Sequence, residues 1–79
     1  SGTATTTTAN DLIFGAGTTG GVISGPGSGF TSRVITQDGD IAEDKPGTTA
    51  GSYSATAPVT AYAGSTTWVM QMVAFKPGP

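Results

Sequence analysis

The fold of this chain is decided by the stretch from Thr67 to Phe75, which reads Thr-Trp-Val-Met-Gln-Met-Val-Ala-Phe. Between Trp68 and Phe75 the single polar residue is Gln71. A run of this kind forms either a strand or a short buried helix, and its β-branched and aromatic content favours the strand. We therefore predict a central strand that is covered on both faces, with Trp68 and both methionines in the core.

The composition of the whole chain agrees with a β fold. The 79 residues include 13 Gly, 15 Thr, 10 Ala and 7 Ser, and charged residues make up 10%. Apolar and β-branched residues come in short runs separated by Gly and Pro, and no window shows the i, i+3, i+4, i+7 spacing of an amphipathic helix. The low charge also argues against a chain that its own charges keep disordered.

Further strands are predicted upstream of the deciding stretch. Their ranges are 3–8, 12–16, 30–36, 41–45 and 51–57, with an additional short strand at 59–63. Six or seven antiparallel strands at this spacing predict an immunoglobulin-like or jelly-roll β-sandwich. We expect a Thr-rich N-terminal arm at 1–9, the sandwich domain at 10–76 and a tail at 77–79.

The dipeptide Asp38-Gly39 predicts a hairpin between two of these strands. Asp-Gly is typical of a two-residue type I′ turn, in which both central residues have positive φ. Such a turn sets Ile35 opposite Ala42 and Arg33 opposite Asp44. The second of these pairs predicts a cross-strand ion pair.

The chain has few large apolar side chains for a sandwich. Once the alanines are removed, the hydrophobic fraction of 35% corresponds to about 18 residues. Domains of under ~80 residues without a disulfide or metal rarely stabilise themselves by more than about 3–5 kcal/mol. We therefore expect a strand from another chain to complete the sandwich, because the chain is either half of a larger domain or a subunit that borrows a strand.

A series of segments supports a family resemblance. The series is the Thr-rich first strand, then ANDLIFGA at 9–16, GSGFTSR at 27–33, DGDIAEDK at 38–45, GSYSAT at 51–56 and WVMQMVAF at 68–75. It resembles the C-terminal half of a β-sandwich module that recurs in large secreted and surface proteins of environmental bacteria. The resemblance spans residues 5–75 and implies an extracellular, non-enzymatic module with no established binding residues. The module's front half has no counterpart in this sequence.

Charge and residue types exclude several functions. A formal net charge of −2, from 3 basic and 5 acidic residues, excludes a binder of the nucleic-acid backbone. Without Cys or His there is no disulfide, thiolate nucleophile, zinc centre or serine–histidine pair. No run approaches the roughly 20 apolar residues that cross a bilayer, so membrane insertion is not expected.

The segment from Gly15 to Gly20 matches the dinucleotide-binding pattern G-x-G-x-x-G. That pattern works only when a helix follows it, because the pyrophosphate lies at the helix N-terminus. Gly25, Pro26 and Gly27 are incompatible with such a helix. We therefore predict a loop between strands and no cofactor.

Four of the five acidic residues lie between Asp38 and Asp44. Asp38 and Asp40 are the candidate metal ligands, for calcium, although calcium needs six to eight oxygens and alternate strand residues point to opposite faces. A solvated hairpin is the alternative. Asp40 and Glu43 supply the two acids of glycoside hydrolysis, but a chain of this size leaves no room for a cleft, so we expect no enzyme.

Aromatic residues give the other candidate site. Tyr53 and Trp68 lie within predicted strands and are expected in the core. Tyr62 lies near a turn and is the candidate ligand-binding residue, because carbohydrate-binding surfaces use exposed aromatic rings.

Together these patterns predict a structural protein. We expect an extracellular or cell-surface subunit that assembles with copies of itself into a fibre or other surface polymer by donor-strand exchange. The candidate donor strand consists of Thr3, Ala4, Thr5, Thr6, Thr7 and Thr8, which are uncharged and β-prone. An ordinary first strand or a disordered linker is the alternative for this segment. The alternative functions are a non-catalytic carbohydrate-binding or adhesive module, with a glycan as partner, and half of a larger secreted β-sandwich domain.

Overall fold

The computed structural model describes residues 1–77, and every regular element within them is a β-strand. The strands are β1 (Ala4–Thr5), β2 (Asp11–Thr19), β3 (Val22–Ile23), β4 (Thr31–Ile35), β5 (Ile41–Gly47), β6 (Ser52–Tyr53), β7 (Val59–Thr60) and β8 (Trp68–Phe75). All their pairings are antiparallel. The predicted all-β, antiparallel class is therefore confirmed.

No helix in residues 1–77 is long and apolar enough to span a membrane.

One four-stranded sheet forms the body of the chain. Its strand order is β4-β5-β2-β8, and the remaining strands form two small pairs, β1-β6 and β3-β7. β2 lies inside the sheet and pairs with β5 on one side and with β8 on the other. Consequently β4 and β8 are the two edges of this sheet.

The inner face of the sheet holds the core. Along β2 the residues alternate, so that Ile13 is buried while its neighbour Leu12 is exposed, as period-2 strand geometry requires. The core cluster consists of Ile13, Phe30 and Ala55, against which Tyr53, Met70 and Met72 pack. Both methionines therefore contact the core as predicted, although each remains partly accessible to solvent.

Two glycines of β2 let residues packed on the inner face of the sheet approach its backbone closely. A Cβ atom at Gly15 would lie 2.8 Å from Cβ of Ala55, and one at Gly17 would lie 2.8 Å from the terminal methyl of Met70. Real Cβ atoms essentially never approach so closely, so no other residue fits at Gly15 unless the cover moves. These are the first two glycines of the G-x-G-x-x-G pattern, and in the fold they serve packing.

The hairpin at Asp38-Gly39 differs in type from the prediction. Gly39 has φ +86° but Asp38 does not have positive φ, which rules out the type I′ turn. The Gly39 N–H donates to the Thr36 carbonyl at 2.9 Å, and the Thr36 N–H donates to the Asp40 carbonyl at 2.8 Å. This is a three-residue loop, in which a type I turn is followed by a left-handed glycine.

The longer loop shifts the register by one residue, so that Ile35 lies opposite Ile41 rather than Ala42. A bulge between Ser32 and Val34 absorbs a further residue. The predicted ion pair nevertheless forms, because the Arg33 guanidinium donates two hydrogen bonds to Asp44, at 2.8 and 2.9 Å.

A type I′ turn does occur elsewhere in the chain, at Ala63 and Gly64, whose φ angles are 51° and 81°. Tyr62 and Ser65 flank this turn and exchange two backbone hydrogen bonds, of 3.1 and 2.9 Å. The turn holds Tyr62 at the surface.

The prediction that the two most apolar runs are covered on both faces is wrong. β8 is an edge strand, and Trp68 is 60% exposed rather than in the core. Leu12 of β2 is likewise exposed on the outer face of the sheet. The described chain covers only the inner face of these two strands, so their outward side chains stay in solvent.

Strand lengths also differ from those predicted. The ranges 3–8, 51–57 and 59–63 contain strands of only two residues each, and β3 was not predicted at all. β3 is a pair of residues, Val22 and Ile23, inside a Gly-rich segment whose composition predicts a loop. Of the predicted tail at 77–79, residues 78 and 79 lie outside the described residues.

Replacing Gly39 with Val should destabilise the chain by about 2 kcal/mol, because a β-branched residue is strongly disfavoured at positive φ. A Cβ at this position would also lie 2.9 Å from Cα of Val22. Urea unfolding of the variant measures the change. Gly25→Val is the matched control, since nothing lies within 4 Å of a Cβ there and no positive φ is required. Equal stability of the two variants would contradict the turn geometry.

Candidate assembly edge

The outer edge of β8 has no partner strand within residues 1–77. β8 pairs with β2 through all eight of its residues, from Trp68 to Phe75, and its other side faces no strand of the described chain. None of these eight residues is charged. A long, uncharged, apolar edge strand offers its free N–H and C=O groups to any strand laid beside it.

The outer face of β8 is apolar as well. Val69, Val73 and Phe75 are 57%, 49% and 53% exposed. In the register of the sheet, Leu12 lies opposite Phe75 and the half-buried Phe14 lies opposite Val73, so these four apolar side chains adjoin, and Gln71 separates them from Val69 on the same face. We call this set of residues, Leu12, Phe14, Val69, Val73 and Phe75, the outer stripe.

A groove follows the free edge of β8. One part, of about 500 Å³, separates Met70–Val73 from Ser1, Gly2 and Ala4. A second part, of about 390 Å³, lies between Trp68–Met70 and the segment that contains Ala55, Thr56 and Ala57. The two parts share Ser1 and Met70, so they lie end to end along the edge.

The candidate donor strand 3–8 is folded onto its own chain. Ala4 and Thr5 form β1 and pair with Tyr53 and Ser52 of β6. Thr6 is buried, and its backbone N–H donates to the Gly51 carbonyl at 2.7 Å. Thr3, Ala4, Thr5 and Thr7 are exposed and Thr8 is partly so. How this segment behaves in an assembly stays a prediction.

The candidate calcium ligands do not form a cluster. Asp38 is exposed in the turn, and Asp40 accepts a hydrogen bond from the Thr19 N–H at 3.2 Å. Within residues 1–77 no group of three or more acidic side chains could hold a metal ion. Asp40 serves instead to tie the hairpin to the end of β2.

Both Tyr62 and Trp68 are exposed, at 66% and 60%. Trp68 borders the groove on one side and, on the other, an open depression lined by Thr18, Thr19, Gly20 and Thr67. The accessibility of Trp68 has no signal in the sequence, since an apolar run looks the same at an edge as in the centre of a sheet.

Glu43 is the one acidic side chain of the predicted cluster that the fold buries completely. One carboxylate oxygen accepts a hydrogen bond from the Gly27 N–H at 3.1 Å, and the other has no partner within the described chain. Glu43 follows Ile41 by two residues, so strand alternation places both on the inner face. Glu43 is buried in the core, whereas Asp40 lies partly exposed in the hairpin, so the two carboxyl groups have different surroundings.

Burial raises the pKa of the Glu43 carboxyl above its ordinary value. The hydrogen bond from Gly27 and the positive charges of Ser1 and Lys45 oppose this shift. On the outer face, the hydrogen bonds from Arg33 hold the pKa of Asp44 below its ordinary value. The pKa values of the two neighbouring acids of β5 are therefore shifted in opposite directions.

Comparison of the chain with protein-family models, with curated proteins and with solved structures finds no match in any of the three. The functional argument therefore rests on the geometry of the edge and of the outer stripe.

The pH dependence of stability can be tested at Glu43. Because its pKa is raised on folding, its contribution to stability is greatest below the ordinary glutamate pKa and is lost as the pH rises through the raised value. We expect Glu43→Gln to unfold at a higher urea concentration than the parent chain near neutral pH. This advantage should disappear under acidic conditions.

Asp44→Asn is the control of opposite sign. The contribution of Asp44 is present above its ordinary pKa and is lost as the pH falls through the lowered value. This variant should therefore be less stable than the parent near neutral pH and equal to it in acid. A Glu43→Gln variant that loses stability near neutral pH would show that the buried carboxylate is better accommodated than its surroundings indicate.

Proposed function

We propose that this chain is a structural β-sheet subunit that assembles with copies of itself at the cell surface or outside the cell. The observation that carries the proposal is the free, uncharged edge of β8. Natural β-proteins that stay monomeric usually protect such edges with charges, bulges or proline. The extracellular location is the one that the expected resemblance of residues 5–75 to a module of secreted and surface proteins implies.

The contrast between the two edges of the sheet supports this proposal. β4, at the opposite edge, carries the charged Arg33 and a bulge between Ser32 and Val34. Both features discourage a further strand from pairing there. β8 has neither a charge nor a register shift against β2. The chain thus protects one edge and leaves the other available.

The outer stripe adds a hydrophobic contribution to association. Its valines and Phe75 expose about half of their surface, and burying that exposed half contributes about 1 kcal/mol for each such side chain. Strand addition at β8 brings a neighbour's side chains beside this stripe. Edge pairing and apolar burial therefore act at the same place.

The candidate donor strand 3–8 supplies a second contact in this proposal. β1 pairs with β6 through only two residue pairs, Ala4 with Tyr53 and Thr5 with Ser52. The same pairing made with β6 of a neighbouring copy would exchange the segment between chains at little cost, as in domain swapping. Repeated exchange links subunits into a fibre.

A non-catalytic carbohydrate-binding module is the second candidate function. It is favoured by the exposure of Trp68 and Tyr62 and by the threonines that line the depression beside Trp68. Aromatic faces flanked by hydroxyl groups suit neutral sugars, which offer both apolar C–H faces and hydrogen-bonding groups.

A charge placed on the free edge tests the assembly proposal. Gln71 is exposed in the middle of β8, and we expect Gln71→Lys to weaken self-association at least tenfold, because a neighbouring strand would desolvate the charge. Thr18→Lys is the matched control: it adds the same charge to the same face of the sheet, on the inner strand β2. Sedimentation velocity over a range of concentrations measures both variants.

The outcomes of this experiment separate the contacts. If Gln71→Lys associates as strongly as Thr18→Lys, the β8 edge is not an assembly surface.

Deleting residues 1–8 tests the donor strand. Loss of elongated particles that is reversed by adding the 1–8 peptide supports strand exchange. Retention of the same particles in electron micrographs by the truncated chain would contradict it.

The single tryptophan reports on the second candidate function. Carbohydrate binding predicts a saturable change in Trp68 fluorescence when soluble oligosaccharides of glucose, N-acetylglucosamine or mannose are added at fixed protein concentration. The Tyr62→Ala variant should bind more weakly if both rings contact the sugar. Fluorescence that changes with protein concentration and with none of these sugars would exclude such a site and favour assembly.

A further inference from the structure

The centre of the free edge strand is a palindrome. Residues 69–73 read Val-Met-Gln-Met-Val, which is the same sequence in both directions. When two copies of one strand pair antiparallel around a two-fold axis, each residue before the centre faces the residue equally far after it. A palindrome centred on Gln71 therefore places identical residue types opposite each other.

From this we infer that the strand added to the β8 edge is β8 of a second copy, paired antiparallel with Gln71 opposite Gln71. The inference rests on the proposed self-assembly and names its partner and register. Val69 of each copy then lies opposite Val73 of the other, and Met70 lies opposite Met72. The product is a two-fold dimer with a continuous eight-stranded sheet.

The faces of the sheet agree with this register. Met70 and Met72 pack against the core on the inner face, whereas Val69, Gln71 and Val73 are exposed on the outer face. A two-fold axis perpendicular to the sheet keeps inner faces together, so only pairings centred on a residue are compatible with it. Pairings centred between two residues would set outward side chains opposite inward ones.

Among the registers centred on Met70, Gln71 or Met72, the polar side chain selects one. An axis at Met70 or Met72 would place Gln71 opposite a valine and press its amide against an apolar neighbour, where hydrogen bonds with water are lost. An axis at Gln71 places the two amides together, and each can donate to and accept from the other. The outer stripes of the two copies then join across the axis.

The dimer leaves β4 at both ends of the combined sheet. Because β4 carries Arg33, its bulge and the ion pair with Asp44, edge pairing stops at two copies. Larger assemblies then need a different contact, such as exchange of the segment 3–8. The β8 pair is therefore the building unit of the proposed polymer.

Complementary charges at position 71 test the register. Gln71→Lys and Gln71→Glu should each be monomeric at concentrations where the parent chain is dimeric, because like charges face each other directly. An equimolar mixture should recover dimers, at least tenfold tighter than either variant alone. Mixing Val73→Lys with Val73→Glu is the control and should not recover them, whereas Val73→Lys with Val69→Glu should.

Cysteine cross-linking gives a second readout, since the chain has no cysteine of its own. Residues directly opposite each other in an antiparallel pair have Cα atoms about 4.5–5.5 Å apart, within the range of a disulfide. Gln71→Cys should form a disulfide dimer on mild oxidation. Val69→Cys should not, because two copies of residue 69 are offset by roughly 13 Å along the strands.

The two hypotheses fail in different ways. Suppose that the parent chain associates and that Gln71→Lys weakens this association. If the charge mixture then fails to restore dimers and Gln71→Cys fails to form a disulfide dimer, the β8 register is wrong and another strand occupies the edge. Equal cross-linking of Val69→Cys and Gln71→Cys also contradicts the register. If the parent chain stays monomeric at every concentration, both the register and the proposed assembly are wrong.

Discussion

The close approach of Ala55 to Gly15 of β2 is the constraint on which the rest of this structure depends. Because a side chain at Gly15 would overlap Ala55, the cover lies directly on β2 and the inner layer is thin. Only a few large side chains are buried within the described residues, with Ile13, Ile23 and Phe30 foremost. The outward-facing apolar residues of β2 and β8 lie on the opposite face of the sheet and gain no cover from this layer; they are Leu12, Phe14, Val69, Val73 and Phe75.

This arrangement explains why the two edges of one sheet are so different. A thin core contributes little stability, and in the proposed assembly another copy supplies further burial. The β8 edge, together with the outer stripe, offers that burial, while β4 is closed by Arg33 and its bulge. Because the opposite edge is protected against strand pairing, the unprotected β8 edge is consistent with the specific partner that we propose.

Sequence reasoning succeeded where local chemistry decides the structure. β-Branched residues and the separating glycines were enough to predict β2, β4, β5 and β8 as strands. The Arg33–Asp44 pair forms as predicted, although the turn register from which it was predicted is shifted. It failed where the decision is tertiary. An apolar run such as β8 has the same pattern whether or not its own chain covers it along its whole length, so Trp68, which shares the face of Met70 at the start of the strand, was wrongly expected in the core.

The hairpin and the buried acid show the same limit at a smaller scale. Asp-Gly is compatible with both a two-residue and a three-residue loop, and the contact of Gly39 with Val22 belongs to a strand that was not predicted. For Glu43 a signal was present, because Ile41 two residues earlier marks the inward face of β5. Charge alone suggested a solvated hairpin, whereas strand alternation would have placed Glu43 inside.

Amide hydrogen exchange along β8, measured in dilute and in concentrated solution, tests the central claim most directly. If the free edge pairs with a second copy, the amides of Trp68–Phe75 that point away from β2 exchange rapidly in the monomer and become protected as concentration rises. The amides of β4, at the closed edge, should show no such change. Protection that rises with concentration at β4 while β8 remains rapidly exchanging would contradict the account.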